Sequence, residues 1–269
     1  MELDYGMLLS PVSIPLSVGT LRKPTMREIS ELTFPKFSMF EAFLKITPEE
    51  IYTSFIGDPE ENKWDSLPED TRDSLTVYDC ILDDENLQGV YRAIFDFFFE
   101  ENVIYYKNLF VFLNEGFDAE HLTEEAVRGV ISEKNFQSVL ECIQQTCCIY
   151  VKKEEEKERK FKNELARKMY EKMKKAQAER EKAKQKQSSP DYSLPNIMSA
   201  VSNKHPSINP INVWDMTLFQ LIDSFNRLQV NAVYDIDCTR VSVWGDEKKK
   251  FDISLWYKNN QEKQKDDDF

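Results

Sequence analysis

Apolar residues recur at helical spacing through much of this chain. The clearest case lies in residues 87–98, where positions 87, 90, 91, 94, 95 and 98 form one wide apolar face. Phe97 and Phe99 widen that face, so we expect this helix to be buried on two sides and to anchor a core. Residues 103–113 are aromatic and β-branched in a short run, and their pattern fits a strand as well as a buried helix.

Several residues in the N-terminal half of the chain have the pattern of helix N-termini. Thr25 with Glu28 three residues later has the pattern of a capping box, and Pro48 opens another predicted helix. Thr123 is a further candidate N-cap. After Gly129 a predicted helix carries an apolar stripe, and we expect that helix to continue into the charged residues that follow. The stripe consists of Phe136, Val139, Leu140, Ile143 and Cys147.

Residues 7–24 follow a different pattern. Proline at three positions and Gly19 exclude a helix running through them. Between these breakers Val12, Ile14, Leu16 and Val18 alternate with other residues, which predicts an extended arm or an edge strand. Two placements of this arm remain open from the sequence, on the chain's own body or on a partner.

Residues 152–187 contain no Gly and no Pro and are rich in Lys and Glu. Their composition predicts a long helical connector. A solvated helix, a partner-binding or self-pairing helix, and a basic arm for nucleic acid are all compatible with it, and the first is favoured. A narrow apolar stripe crosses the connector but fades after Ala176, whereas a coiled coil needs such a seam over at least three or four heptads. Self-association of this helix as a coiled coil is therefore one of the open alternatives. The stripe consists of Phe161, Leu165, Met169, Met173 and Ala176.

Residues 188–210 are rich in Ser, Pro and Asn, which predicts a flexible linker. A strongly amphipathic helix capped by Asn212 is expected next. Residues 241–256 permit a hairpin or a second helix. The stripe of the amphipathic helix is either the core of its module or a face that binds a partner. Its members, the candidate partner-binding residues, are Trp214, Leu218, Leu221, Ile222, Phe225 and Leu228.

Together these patterns predict a mainly α protein with five parts. Residues 1–150 form a helical N-terminal domain with an extended arm, and residues 151–187 form the charged helical connector. Residues 188–210 form the linker, and residues 211–260 form a small helical or α+β C-terminal module. Residues 261–269 are a polar tail.

Charge is distributed unevenly along the chain. The formal net charge is −13, whereas the connector alone carries about +7, so the other residues carry about −20. Such an acidic body repels phosphate groups, which disfavours nucleic acid and anionic membrane surfaces as partners. The N-terminus lacks the features of a signal peptide, and the five Cys include no CxxC. We therefore expect a cytoplasmic protein with reduced thiols.

The sequence contains no recognisable catalytic constellation. Its two His residues, His121 and His205, stand in no zinc-binding or catalytic spacing, and its seven Gly form no phosphate-binding motif. The acidic residues within positions 57–73 lack the spacing of a calcium-binding EF-hand loop. We therefore predict a protein that is not an enzyme and has no catalytic, cofactor-binding or metal site.

A helical motif beginning at Trp214 resembles the C-terminal portion of tail assembly chaperones of tailed phages of Gram-positive bacteria. The motif reads W-D-x-T-x-x-Q-x-x-D-x-F-x-R, and the resemblance covers about a quarter of the chain. Two other segments, SPVSIPLSVGTLRKPTMREI and ISEKNFQSVLECI, are also similar to such phage proteins. The matching residues are Trp214, Asp215, Thr217, Gln220, Asp223, Phe225 and Arg227.

This resemblance implies a non-enzymatic protein in the host cytoplasm. It would bind the tape measure protein and hold its aggregation-prone helices until the tail tube polymerises. One alternative is a structural component of a phage tail or baseplate, which would remain in the virion. A third interpretation is a helical regulatory protein or an anti-defence protein that binds a host partner.

Overall fold

The computed structural model describes residues 2–54, 63–117, 123–149, 192–246 and 251–258. The fold is mainly α, as predicted, with two small antiparallel sheets. The described helices are α1 (Tyr5–Leu9), α2 (Met26–Leu32), α3 (Phe34–Phe43), α4 (Pro48–Ser54), α5 (Lys63–Ser66), α6 (Glu69–Ser74), α7 (Val77–Asp83), α8 (Glu85–Phe98), α9 (Glu133–Thr146), α10 (Leu194–Lys204) and α11 (Leu218–Trp244). The strands are β1 (Ile14–Pro15), β2 (Thr20–Leu21), β3 (Asn102–Tyr106), β4 (Leu109–Leu113) and β5 (Val127–Ile131).

Helix α8 lies at the centre of the core, as its wide apolar face predicts. The ring of Phe95 is fully buried and lies 4.9 Å from that of Phe110 on β4 and 6.2 Å from that of Phe136 on α9. Both pairs are T-shaped, a geometry in which an aromatic pair contributes about 0.5–1.5 kcal/mol beyond the area it buries. The side chain of Phe95 therefore links α8 to both the sheet and α9.

Residues 103–113, whose pattern fits a strand as well as a buried helix, form a β-hairpin. Strands β3 and β4 pair in an antiparallel register with Tyr106 opposite Leu109, and β5 pairs with the other edge of β4. The turn residues Lys107 and Asn108 have φ angles of 47° and 63°. Two successive positive φ angles suit the right-handed twist of a tight hairpin. Because β4 is the central strand, four of its five residues are buried.

The N-terminal arm lies on the chain's own body. Residue Leu21 of β2 is fully buried, and the Arg22 N–H donates a hydrogen bond of 2.7 Å to the carbonyl of Phe98 at the end of α8. Gly129 on β5 faces the backbone of Val18 so closely that a Cβ atom at position 129 would lie 2.5 Å from the Val18 carbonyl oxygen. The arm therefore packs against both a helix end and the sheet.

Two local predictions in this half are confirmed and one is wrong. Thr25 and Glu28 form a complete capping box on α2, and the helix predicted from Pro48 is α4. The predicted helix with the Phe136 stripe is α9, but it ends at Thr146 and does not continue toward the connector. Residues 150–191, which include the connector, lie outside the described residues.

A Schellman motif ends α9. The Ile149 N–H donates to the Gln144 carbonyl at 2.8 Å, and the Cys148 N–H donates to the Gln145 carbonyl at 3.2 Å. These bonds require a left-handed residue at Cys148, whose φ is 55°. Gly or Asn usually occupies that position, so the sequence carried no stop signal. The burial of Cys147 and Ile149 compensates for the unfavourable backbone conformation.

One prediction in the C-terminal part of the chain is also wrong, and one alternative that the sequence left open is decided for the described residues. The predicted linker, residues 188–210, contains helix α10, because Ile197, Met198 and Val201 fall on one face and are buried. The three buried apolar residues of α10 have helical spacing, but they are few among the polar residues of this segment, so its composition favoured a linker. For residues 241–256 the hairpin alternative finds no support in the described residues, because α11 continues to Trp244 and residues 253–257 form turns.

The amphipathic helix begins later and ends later than predicted. Asn212 lies in a 3₁₀ turn, whereas Thr217 and Gln220 form the capping box of α11. With 27 residues, α11 is roughly 40 Å long. The division of the chain into two domains stays a prediction. The buried residues of α10 and of the start of α11 belong to the same hydrophobic cluster as those of α8 and α9.

Candidate partner-binding surface

The candidate partner-binding residues all lie against the chain's own core. Leu218 and Leu221 are fully buried within it, together with the adjacent Phe219, which the prediction did not include. The other four are partly buried and packed against the core. They are Trp214, Ile222, Phe225 and Leu228. A role for this stripe in binding a partner stays a prediction, while its packing role is visible in the structure.

Backbone hydrogen bonds fasten the start of α11 to the residues around α2. The Met26 N–H donates to the Met216 carbonyl at 2.9 Å, and the Leu218 N–H donates to the Pro24 carbonyl at 3.3 Å. Thr25 and Thr217 lie opposite each other in an isolated antiparallel bridge. The N-cap residues of α2 and α11 are therefore paired directly.

Side chains of α11 hold the N-terminal helix α1. The Tyr5 hydroxyl donates to Asp223 Oδ2 at 3.1 Å and accepts a hydrogen bond of 2.9 Å from Arg227 Nη2. Arg227 Nε donates to the same Asp223 oxygen at 3.0 Å. Asp223 is only 7% exposed, so this triad satisfies a carboxylate that would otherwise be costly to bury. Burial is the main cause that raises the pKa of Tyr5, while the Arg227 hydrogen bond opposes it.

The phage-like motif therefore has a structural explanation at most of its positions. Asp215 accepts a hydrogen bond of 2.8 Å from Arg27 on α2, and the Gln220 amide donates to the Leu9 carbonyl at 2.9 Å. The Phe225 ring lies 6.3 Å from that of Tyr192. Together with the Thr217 cap and the Asp223–Arg227 pair, these contacts attach the motif to the N-terminal residues and to Tyr192, which lies just before α10.

The second half of α11 is exposed. Val233, Ile236, Val243 and Trp244 lie within about 100° of the helix circumference at 3.6 residues per turn. Their exposed fractions are 53%, 68%, 65% and 79%. They continue the arc that Leu218, Ile222 and Phe225 occupy in the first half. We name these four residues the distal face. The sequence contains a signal for this face, because apolar residues continue at helical spacing past Leu228. Val233 and Ile236 lie beyond the predicted stripe, and Val243 and Trp244 lie in the segment for which a hairpin was one alternative.

A second exposed apolar group lies in residues 251–258, which we name the C-terminal turn. Phe251 stacks on Tyr234 of α11 with ring centroids 5.7 Å apart, and its N–H donates to Asp246 Oδ2 at 2.8 Å. This contact places the turn beside α11. The turn presents three large apolar side chains that are more than half exposed. They are Ile253, Trp256 and Tyr257.

Asp252 organises the C-terminal turn. Its carboxylate accepts hydrogen bonds from the Ser254 N–H at 3.0 Å and from the Ser254 hydroxyl at 2.6 Å, and it pairs with Lys258. The hydrogen bond from Lys258 is the main cause that lowers the pKa of Asp252. The exposed aromatic residues are thus carried on a turn with defined local bonding.

The described residues contain no group of three or more His, Cys, Asp or Glu side chains placed to hold a metal ion. All five Cys are free thiols, and burial raises the pKa of Cys80 to about 11 and that of Cys148 to about 12. None of the helices in the described parts of the chain combines the length and the apolar composition needed to cross a membrane.

Comparison with known protein families relates the C-terminal part of the chain to phages. Residues 183–261 match the family model of the YomV second domain, which is associated with phages. The match includes α10, α11 and the C-terminal turn. No curated protein and no solved structure matches the chain. Residues 183–261 are thus similar to a phage-associated domain, the YomV second domain.

Proposed function

We propose that this chain is a non-enzymatic tail assembly chaperone that binds the phage tape measure protein before the tail tube polymerises. The observation that carries the proposal is the match of residues 183–261 to a phage-associated domain. The motif beginning at Trp214, which resembles tail assembly chaperones, lies within the same residues. The chaperone acts in the host cytoplasm and uses no cofactor.

Exposed apolar side chains support this role. A chaperone for helices that aggregate must offer apolar surface, and exposed apolar groups on a folded protein are a common feature of interaction sites. The C-terminal turn offers Ile253, Trp256 and Tyr257 on the matched domain. Aromatic residues of this kind often supply most of the binding energy in protein interfaces. We assign tape measure binding to this turn because the candidate stripe from Trp214 to Leu228 packs on the chain's own core.

Co-expression with the tape measure protein of the same phage tests the proposal. The full-length tagged chain is purified, and the co-purifying proteins are identified by mass spectrometry. We expect the tape measure protein in the wild-type sample and its loss in the double variant Ile253→Ser, Trp256→Ala. The control is Ile211→Ser, which changes a residue that is 81% exposed and lies outside the C-terminal turn.

The same experiment addresses the alternative of a structural tail or baseplate component. If the chain were recovered in stoichiometric amounts from finished phage particles, the chaperone proposal would be overturned in favour of that alternative. A truncation before α10 is unsuitable as a test, because it would remove Leu218 and Leu221 from the core. Point variants on exposed residues avoid this problem.

A further inference from the structure

We propose that the distal face of α11 is a homodimer interface on which a second copy of this chain packs in antiparallel orientation. The inference is independent of the proposed chaperone function. It differs from self-association through the connector, because it uses described residues that lie outside the connector. Four features of the distal face support it: its continuity with the packed first half of α11, the exposure of its apolar residues, the arrangement of its charges and its area.

The distal face continues a packed surface. In the first half of α11 the same arc is occupied by Leu218, Ile222 and Phe225, which pack on the core. Beyond Leu228 the four residues of the distal face are exposed in the described structure, whereas Val230 and Val241 on a neighbouring side of the helix are partly buried. A helix with such an arc normally buries it against another element. Among the described residues, nothing covers the distal face as the core covers the first half.

Charge on this arc is self-complementary. Arg240 lies at the centre of the distal face and pairs with Asp237 of its own helix, with Arg240 Nε 3.0 Å from Asp237 Oδ1. Consider a two-fold axis perpendicular to α11 at the height midway between residues Cys238 and Thr239. It places Arg240 of each copy opposite Asp237 of the other copy. A guanidinium has five N–H donors, so it can bind both carboxylates. The two copies then form a ring of two Arg and two Asp.

The same axis matches the apolar residues. It places Val233 of each copy opposite Trp244 of the other, one pair on each side of the charged ring. This arrangement has the form of an isologous interface, in which residue i contacts j and j contacts i. Antiparallel packing also sets the two helix dipoles in opposite directions. Parallel packing would instead bring each Arg240 close to the other Arg240.

The size of the surface is compatible with a reversible dimer. Trp244 can bury about 150–250 Å² and the three aliphatic residues less, so the four side chains of both copies together bury at most on the order of 1,000 Å². That value is near the lower limit for specific interfaces, and we expect micromolar affinity. The net charge of −13 opposes association, but at physiological ionic strength charges separated by more than about 8 Å are largely screened.

Sedimentation velocity of the full-length chain over a wide concentration range tests the inference. We expect a monomer–dimer equilibrium that Arg240→Asp weakens at least about tenfold, because it brings four carboxylates together. The double variant Asp237→Arg, Arg240→Asp restores the alternation of charge in both copies and should restore the dimer. Ile236→Asp should also weaken the dimer, whereas Ile211→Asp, an exposed residue outside the distal face, should not.

Circular dichroism of each variant confirms that its helical content is unchanged. A wild-type chain that stays monomeric at all concentrations would overturn the proposal. A dimer that resists both Arg240→Asp and Ile236→Asp would also overturn it, and its loss on deleting residues 152–187 would assign self-association to the connector. Failure of the dimer leaves tape measure co-purification unaffected, so the two proposals are tested separately.

Discussion

Tyr5 and Asp223 are separated by 218 positions in the chain, yet the Tyr5 hydroxyl donates a hydrogen bond of 3.1 Å to the Asp223 carboxylate. Arg227 contacts both groups and closes the triad. Because Asp223 lies on α11 and Tyr5 on α1, the triad links the phage-like C-terminal helix to the first helix of the chain. Three side chains therefore fasten these two distant helices to each other.

The Tyr5 hydroxyl should contribute measurably to stability. We expect Tyr5→Phe to lower the free energy of unfolding by about 1–3 kcal/mol, because the hydroxyl makes two hydrogen bonds and each contributes about 0.5–1.5 kcal/mol. Asp223→Ala should cost more, because it leaves the partly buried Arg227 guanidinium without its carboxylate. Urea denaturation measures both. A double-mutant cycle of Tyr5→Phe with Arg227→Lys that shows no coupling would contradict this role of the triad.

Gly129 should be required for its close contact with the N-terminal arm. A Cβ at this position would meet the Val18 backbone at 2.5 Å. We therefore expect Gly129→Ala to destabilise the protein by about 1–3 kcal/mol, as overpacking does. Gly89 is the matched control. It lies in α8 with nothing within 4 Å of where a Cβ would stand, so Gly89→Ala should stabilise the protein by about 0.5–1 kcal/mol. Thermal denaturation of the two variants should shift in opposite directions.

Tyr78 should make stability depend on pH in the alkaline range. Its hydroxyl donates to the Asn108 carbonyl at 2.7 Å, and burial raises its pKa from 10.0 to about 12. Above pH 10 the unfolded chain releases this proton before the folded chain does. Its contribution to stability is therefore complete below pH 10 and is lost as the pH rises to about 12.

Denaturation of wild type and Tyr78→Phe at several pH values measures this effect. At pH 7 we expect the variant to be less stable by about 1 kcal/mol, because it lacks the hydrogen bond. The difference should narrow between pH 10 and pH 12. A constant difference across this range would show that Tyr78 does not titrate as proposed. Absorbance at 295 nm reports the ionisation of tyrosine directly and serves as an independent check.

The five thiols should differ widely in reactivity. Burial raises the pKa of Cys148 to about 12, so at pH 8 only about one molecule in 10⁴ carries its thiolate. Cys238 is partly exposed on the second half of α11. We expect iodoacetamide at pH 8 to label Cys238 first, with Cys148 reacting only on unfolding. Peptide mapping by mass spectrometry identifies the labelled sites, and comparable rates at the two residues would contradict the expectation.

Local signals in the sequence predicted local structure well. The apolar face of α8, the Thr25–Glu28 capping box and the helix from Pro48 each depend on residues within a few positions of one another. Their energetics are therefore readable from spacing alone. The mainly α class follows from the same signals. The stripe from Leu218 to Leu228 was also recognised, although the sequence left its role open.

Tertiary contacts decided what local patterns could not. Cys148 ends α9 in a left-handed conformation because burial of its neighbours compensates for the strain. Cysteine is not a recognised signal for the end of a helix, so the sequence does not predict this end. Helix α10 forms in a polar segment because its few apolar residues are buried in the same core as the first residues of α11. The sequence by itself determined the helical class and the amphipathic stripe of α11. Only the tertiary structure decided which half of that stripe is buried, because burial depends on where the body ends beside the helix.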